Sequence, residues 1–215
     1  WGREKVESTA GLAEAIHRVR TRLRAPEMRF DIVAHSMGGL IAQKLAEQGD
    51  ARAAVLVCPC PPRGISLLTG PLFRRQLKYA FAIMRSRAVK PRWRDVRDIL
   101  LNHIPQSERR TAFERFVPDS GRAGREMSFG AIAVKENDVR AHGCPVLVVS
   151  CDDDRFIPLR IAQKVATKFR APLFVARKHG HLLPVEPGWQ DPASFVADWV
   201  ARETASGLSP LAGRD

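Results

Sequence analysis

Met28-Arg29-Phe30-Asp31-Ile32-Val33 runs into Ala34-His35-Ser36-Met37-Gly38, and Gly39-Leu40-Ile41-Ala42-Gln43-Lys44-Leu45-Ala46 leads out. The first run has the character of a strand and the last that of a helix. The five residues between them set a serine on a sharp strand-to-helix turn, with small residues two positions to either side. Such a turn strains the serine backbone, and the small Ala34 and Gly38 are expected to keep the crossing backbones from clashing. The Ser36 hydroxyl then projects from the sheet, and the Met37 N–H points at whatever that hydroxyl attacks. The implied chemistry is acyl transfer, if a base and an acid stand nearby.

The surrounding pattern is an alternating α/β chain. Leu12, Ile16, Val19 and Leu23 predict an amphipathic helix over 9–24, capped by Ser8 or Thr9 and ended by Pro26. After the serine turn, a helix at 37–48 stops at Gly49-Asp50. Ala53-Ala54-Val55-Leu56-Val57 is wholly apolar, as in a parallel sheet covered on both faces. Further strands are predicted at 145–150 and 172–176, with helices from Pro158 to about Lys168 and over about 192–202. The tail from Thr204 is read as flexible.

The breaker cluster Pro59-Cys60-Pro61-Pro62-Arg63-Gly64 marks an exit into a different region. Residues 71–117 look helical, with apolar stripes at Phe73, Leu77, Phe81 and Met84, then Trp93, Val96 and Leu100, then Ala112, Phe113 and Phe116. The expected domains are a first core part (1–62) with the serine turn, a helical cap insertion (63–130), a second core part (131–203) and a tail (204–215).

Composition narrows the class. The 215 residues allow one domain with a sizeable core, and 45% hydrophobic residues suits a water-facing globule. No run reaches the roughly 18 apolar residues of a membrane helix. The four cysteines, Cys58, Cys60, Cys144 and Cys151, match no zinc spacing and are read as free thiols in a reducing, cytoplasmic compartment. The net charge is +12, and residues 63–126 hold 15 basic against 6 acidic residues, a net +9. That excess points to solvated helix faces, to peripheral membrane contact through the basic cap, or to an anionic substrate. Aromatics do not interleave with it as nucleic-acid modules require, so no nucleic-acid partner is expected.

A serine needs a base, and the base needs a carboxylate. In a parallel sheet both belong after strands, on the rim that carries the serine. Of six histidines, His17 lies on a helix, His103 in the insertion and His142 before its strand. His35 adjoins the serine but should point away from its hydroxyl. Lys178-His179-Gly180-His181 leaves two candidates, and His181 is favoured because Gly180 frees the loop to present it. The acid lies in Asp152-Asp153-Asp154, with Asp154 at the loop tip favoured over Asp153.

These blocks together resemble the α/β-hydrolase fold family of the lipase, esterase and lysophospholipase type. Ala34-His35-Ser36-Met37-Gly38-Gly39-Leu40 is similar to its serine block, with alanine in place of the usual first glycine. Pro145-Val146-Leu147-Val148-Val149 through Asp154-Arg155-Phe156-Ile157-Pro158 is similar to its acid loop, with Cys151 in place of a glycine. Gly180-His181 followed by Glu186 resembles its histidine loop, and 63–130 resembles its variable helical cap. The resemblance implies a parallel sheet with flanking helices and a Ser36-Asp154-His181 triad. Met37 would sit in the oxyanion hole, no metal or cofactor would be needed, and the substrate would be a small-molecule or lipid ester. A haloperoxidase-like or C–C hydrolase would use the same triad, and a non-catalytic binding or receptor domain is the alternative from another class. The family carries about four strands before the serine strand. The chain is therefore expected to be truncated at its N-terminus, to lack the second oxyanion donor and to be poorly active alone.

Overall fold

The structure, a computed structural model, describes residues 11–23, 28–67 and 84–206. Its frame is a four-stranded parallel sheet in the order β1-β2-β3-β4, formed by Phe30–His35, Ala51–Val57, Val146–Cys151 and Leu173–Ala176. Around it run helices α1 (Leu12–Arg22), α2 (Met37–Glu47), α3 (Trp93–Ile99), α4 (Arg109–Glu114), α5 (Gly121–Ser128), α6 (Glu136–Ala141), α7 (Leu159–Phe169) and α8 (Gln190–Ser206).

Alternation along the strands divides the core in two. Ala54 and Leu56 of β2 and Val146 and Val148 of β3 face Leu40, Ile161 and Val165 of α2 and α7, with Leu12 of α1 in the same cluster. Val55, Val57, Leu147 and Val149 face the other way, onto Trp199 and Phe195 of α8. β2 and β3 are therefore apolar throughout because both their faces are covered. β1 lies at one edge of the sheet among the described residues, and its Val33 is 60% exposed.

The predicted core elements agree with these within a residue or two, with two corrections. α1 starts at Leu12 with Gly11 as its N-cap and no side-chain cap; Ser8 and Thr9 lie outside the described residues. The Leu12 amide instead donates to the Glu126 carboxylate of α5 at 2.6 Å, so a distant element satisfies this helix end. α8 reaches Ser206, so Thr204 of the expected flexible tail is helical, its hydroxyl donating to the Val200 carbonyl.

Between β2 and β3 the chain is less regular than its apolar stripes suggest. α3 and α4 are short, Val89 and Asp119 form an isolated antiparallel bridge, and Met84, placed in a stripe, is exposed. Phe73, Leu77 and Phe81 lie outside the described residues. Val96, Leu101 and Ile104 form a separate small core here, joined by Trp93, Phe113, Phe116 and, from beyond β4, Leu182. This segment thus packs over the ends of the strands and reaches the loop that carries His181.

Candidate active site

Ser36 occupies the turn between β1 and α2 with φ 54° and ψ −120°, a strained backbone for a residue with a side chain. Surrounding bonds hold it there. The Ser36 amide donates to the Val57 carbonyl at 2.9 Å, and its own carbonyl accepts from the amides of Gly39 and Cys60. The buried Gln43 side chain donates to the carbonyls of Gly39 and Cys60, tying the start of α2 to the end of β2.

The steric reason for the glycines differs from the expected one. A Cβ on Gly38 would stand 3.9 Å from the Ala34 Cβ, an ordinary contact. On Gly39 it would lie 2.9 Å from the Pro59 Cβ and 3.1 Å from the Pro59 Cα. Gly39, not Gly38, is the residue that close approach demands.

His181 and Asp154 meet Ser36 from two other loops. The Ser36 hydroxyl donates to His181 Nε2 at 3.0 Å, and His181 Nδ1–H donates to Asp154 Oδ2 at 2.8 Å. His181 and Asp154 are both buried. The second Asp154 oxygen accepts from the amides of Phe156 at 2.9 Å and Ile157 at 2.7 Å, which fixes the carboxylate plane. Its two neighbours serve elsewhere. Asp152 accepts from the Lys178 amide, and Asp153 accepts from Arg155, His103 and Asn102. The Arg155 guanidinium, with the His103 and Asn102 contacts, holds the Asp153 carboxyl below its usual range.

His179, the other loop candidate, donates through Nδ1 to Glu186 at 3.2 Å and does not reach the serine. Glu186 is 1% exposed and organises this loop. Its oxygens accept from the Gly180 amide at 2.7 Å and the Leu182 amide at 3.1 Å, the two residues flanking His181. Gly180 is crowded rather than free: a Cβ there would lie 2.7 Å from Asn102 Oδ1 and 3.0 Å from Glu186 Oε1.

His35 bonds to the histidine loop and not to the serine hydroxyl, so it still belongs to the site. Its Nε2–H donates to the His181 carbonyl at 2.6 Å, and the two rings lie 4.8 Å apart. Burial, and then the neighbouring His181 charge, lower its pKa to about 4, so it is neutral at pH 7. His35 and Glu186 thus hold the backbone on both sides of His181. Neither role is visible in sequence, because each is a contact with a main-chain atom of another loop; the buried glutamate soon after Gly-His was the available signal.

The four cysteines are free and buried. Cys60 Sγ lies 3.9 Å from the Ser36 hydroxyl, and burial pushes its thiol up to about 12. Cys58 donates to Cys151 at 3.7 Å, and this bond and burial raise it well above the ordinary thiol range. Among the described residues, His35, Cys58 and His181 bring possible metal-ligand atoms within 4.8 Å of one another. Both ring nitrogens of His181 are already engaged by Ser36 and Asp154, so a metal there would have to displace the serine contact.

The site opens into a cavity of about 1090 Å³ under the β2–β3 segment. Its walls are mostly apolar, with Ile99, Leu100, Ile104, Phe116, Met127 and Leu182 among them.

A profile of the family described as "Alpha/beta hydrolase family" matches residues 3–199. The chain belongs to that family. No curated protein matches the sequence significantly. Solved structures with the hydrolase's fold include an extracellular alpha/beta-hydrolase from a Paenibacillus species, at 13% identity and TM-score 0.71, covering 92% of this chain and 82% of that one. A carboxylesterase structure from Nitrososphaera gargenis has 18% identity and TM-score 0.69, covering 94% and 75%. A monoacylglycerol lipase from Paleococcus ferrophilus has 14% identity and TM-score 0.64, covering 91% and 77%. At these identities the likeness to the hydrolase is one of fold. Among its described residues no helix is long and apolar enough to cross a membrane.

Proposed function

We propose that this hydrolase cleaves carboxylic esters through Ser36, His181 and Asp154. The supporting observation is the unbroken relay from Ser36 Oγ to His181 Nε2 at 3.0 Å and from His181 Nδ1 to Asp154 Oδ2 at 2.8 Å. Ser36 attacks the ester carbonyl and passes its proton to His181, whose imidazolium is stabilised by Asp154. Met37 is the first residue of α2, so its amide has no partner within the helix and is available to the oxyanion. His181 then gives the proton to the departing alcohol. Water, deprotonated in turn by His181, releases the acid from the acyl-serine.

The apolar cavity under the β2–β3 segment suits an acyl chain, with that segment acting as the cap that selects it. The lipase and carboxylesterase among the structural neighbours agree with an ester substrate. The positive excess of residues 63–126 suits contact with an anionic lipid surface, and a lysophospholipid is a substrate that joins both features.

The test is active-site labelling of the full-length protein with a fluorophosphonate probe, alongside hydrolysis of p-nitrophenyl esters. Ser36→Ala is expected to abolish labelling and to lower kcat/KM by at least about 10³-fold. Absence of both labelling and turnover in the folded full-length protein would make it a binding domain instead.

A further inference from the structure

The face that α5 turns to the cavity is nearly bare. Ser120, the N-cap of α5, and Gly121, Gly124, Met127 and Ser128 all border it, at the i, i+3, i+4 spacing of one helical face. Glycine is the poorest helix former after proline, so two in one short helix need a reason.

Gly121 has a steric reason. A Cβ there would lie 2.0 Å from the Arg87 carbonyl oxygen, where the chain crosses beside the Val89–Asp119 bridge. Gly124 has no such reason. It lies within the helix, and a Cβ built on it meets no atom of the described residues within 4 Å. Neither its backbone conformation nor packing among the described residues excludes a side chain at this position. What a side chain would take is cavity space.

The position along the cavity matters. Met127, one turn further on, packs against the main core cluster, as does Met37 beside the serine. Gly121 and Ser120 lie at the opposite end of α5, by the bridge. Ala123, next to Gly124, is itself buried in the main core cluster, so α5 is seated on the core and Gly124 borders the cavity between Met127 and the bridge.

We propose that Gly124 is a specificity-determining residue, whose missing side chain admits the distal part of a long acyl chain. The inference rests on the ester-hydrolase reading and deepens it by assigning long-chain acyl esters as the substrate class. A leucine at this position would exclude several methylenes. Each methylene kept from an apolar pocket costs roughly fourfold in affinity.

The experiment compares Gly124→Ala and Gly124→Leu with wild type in the full-length protein, using p-nitrophenyl butyrate and dodecanoate. The ratio of kcat/KM for dodecanoate over butyrate is expected to fall in the order Gly, Ala, Leu, by at least tenfold for Leu. The alanine variant, which meets no neighbour among the described residues, carries the test if the leucine variant fails to fold. A ratio unchanged in both variants, or a loss equal for both esters, overturns the proposal. If wild type turns over neither ester, the ester-hydrolase reading fails, and calorimetric titration with dodecanoate and butyrate decides about Gly124. Selective weakening of dodecanoate by the substitutions would uphold a chain-length pocket there, and equal binding would overturn it.

Discussion

His35 sits next to the proposed nucleophile in sequence and serves the proposed base in space. Its ring accepts the cost of burial to hold the His181 carbonyl, and it does so in the neutral form. This has a consequence for stability. In the unfolded chain the ring titrates near its ordinary value of 6.5, whereas in the fold it stays unprotonated down to about 4. Above pH 6.5 both states are neutral and His35 contributes no pH dependence. As pH falls from 6.5 to 4 the unfolded state binds a proton that the native state refuses, so stability declines, in total by about 3 kcal/mol. His35→Gln, which can still donate to the carbonyl, should lose that much less over the interval. Urea unfolding of both proteins at pH 7 and pH 4 measures it; equal losses would mean that the histidine is not held neutral.

The serine turn is an element-scale device, because it works only if α2 can start hard against the loop that follows β2. Gly39 sets that distance through Pro59, and Gly38 does not. Gly39→Ala should therefore destabilise the fold by about 1–3 kcal/mol, the range for overpacking, while Gly38→Ala should change stability by no more than about 0.5 kcal/mol. Thermal unfolding separates the two, and equal effects would count against the Pro59 contact. The turn itself was legible because a strand, a small-Ser-small pattern and a helix follow one another without interruption. Which glycine mattered was not, since Pro59 is twenty residues away in sequence. The same limit explains the acid loop. Asp152, Asp153 and Asp154 are chemically alike, and Asp153 is engaged by Arg155 and by Asn102 and His103, which reach it from the β2–β3 segment. In that segment apolar spacing showed helical character but not where helices break. α5 was illegible, because its glycines argue against a helix; Ser120 caps its start, and Glu126 ties it to α1. α6 has only six residues, too few for a periodic signal.

At the scale of the whole molecule, most of the net charge belongs to a segment whose described residues border the cavity. Residues 63–126 hold 15 basic and 6 acidic residues, three-quarters of the chain's net charge of +12. Within that segment Lys90 stands over the Phe113 ring at 5.9 Å and Arg110 over Trp93 at 5.4 Å, so cations cover the small core that packs over the site. Val117 and Val185 border the cavity and are 62% and 65% exposed, and the exposed Arg115 borders it too. An apolar rim bordered by a basic segment is what a surface of anionic lipid would attract and then hold. Each basic residue near such a surface contributes about 1 kcal/mol, screened over a Debye length of about 10 Å at 0.1 M salt. The full-length protein should therefore co-sediment with phosphatidylglycerol vesicles at low salt, at least tenfold more strongly than with phosphatidylcholine vesicles, and release as salt is raised to 0.5 M. Val117→Asp combined with Val185→Asp should weaken the association at low salt at least fivefold, because it removes the apolar contact and adds like charge to the lipid. Equal binding to both kinds of vesicle would remove the role of the basic segment, and binding indifferent to the two aspartates would show that the cavity rim does not face the lipid.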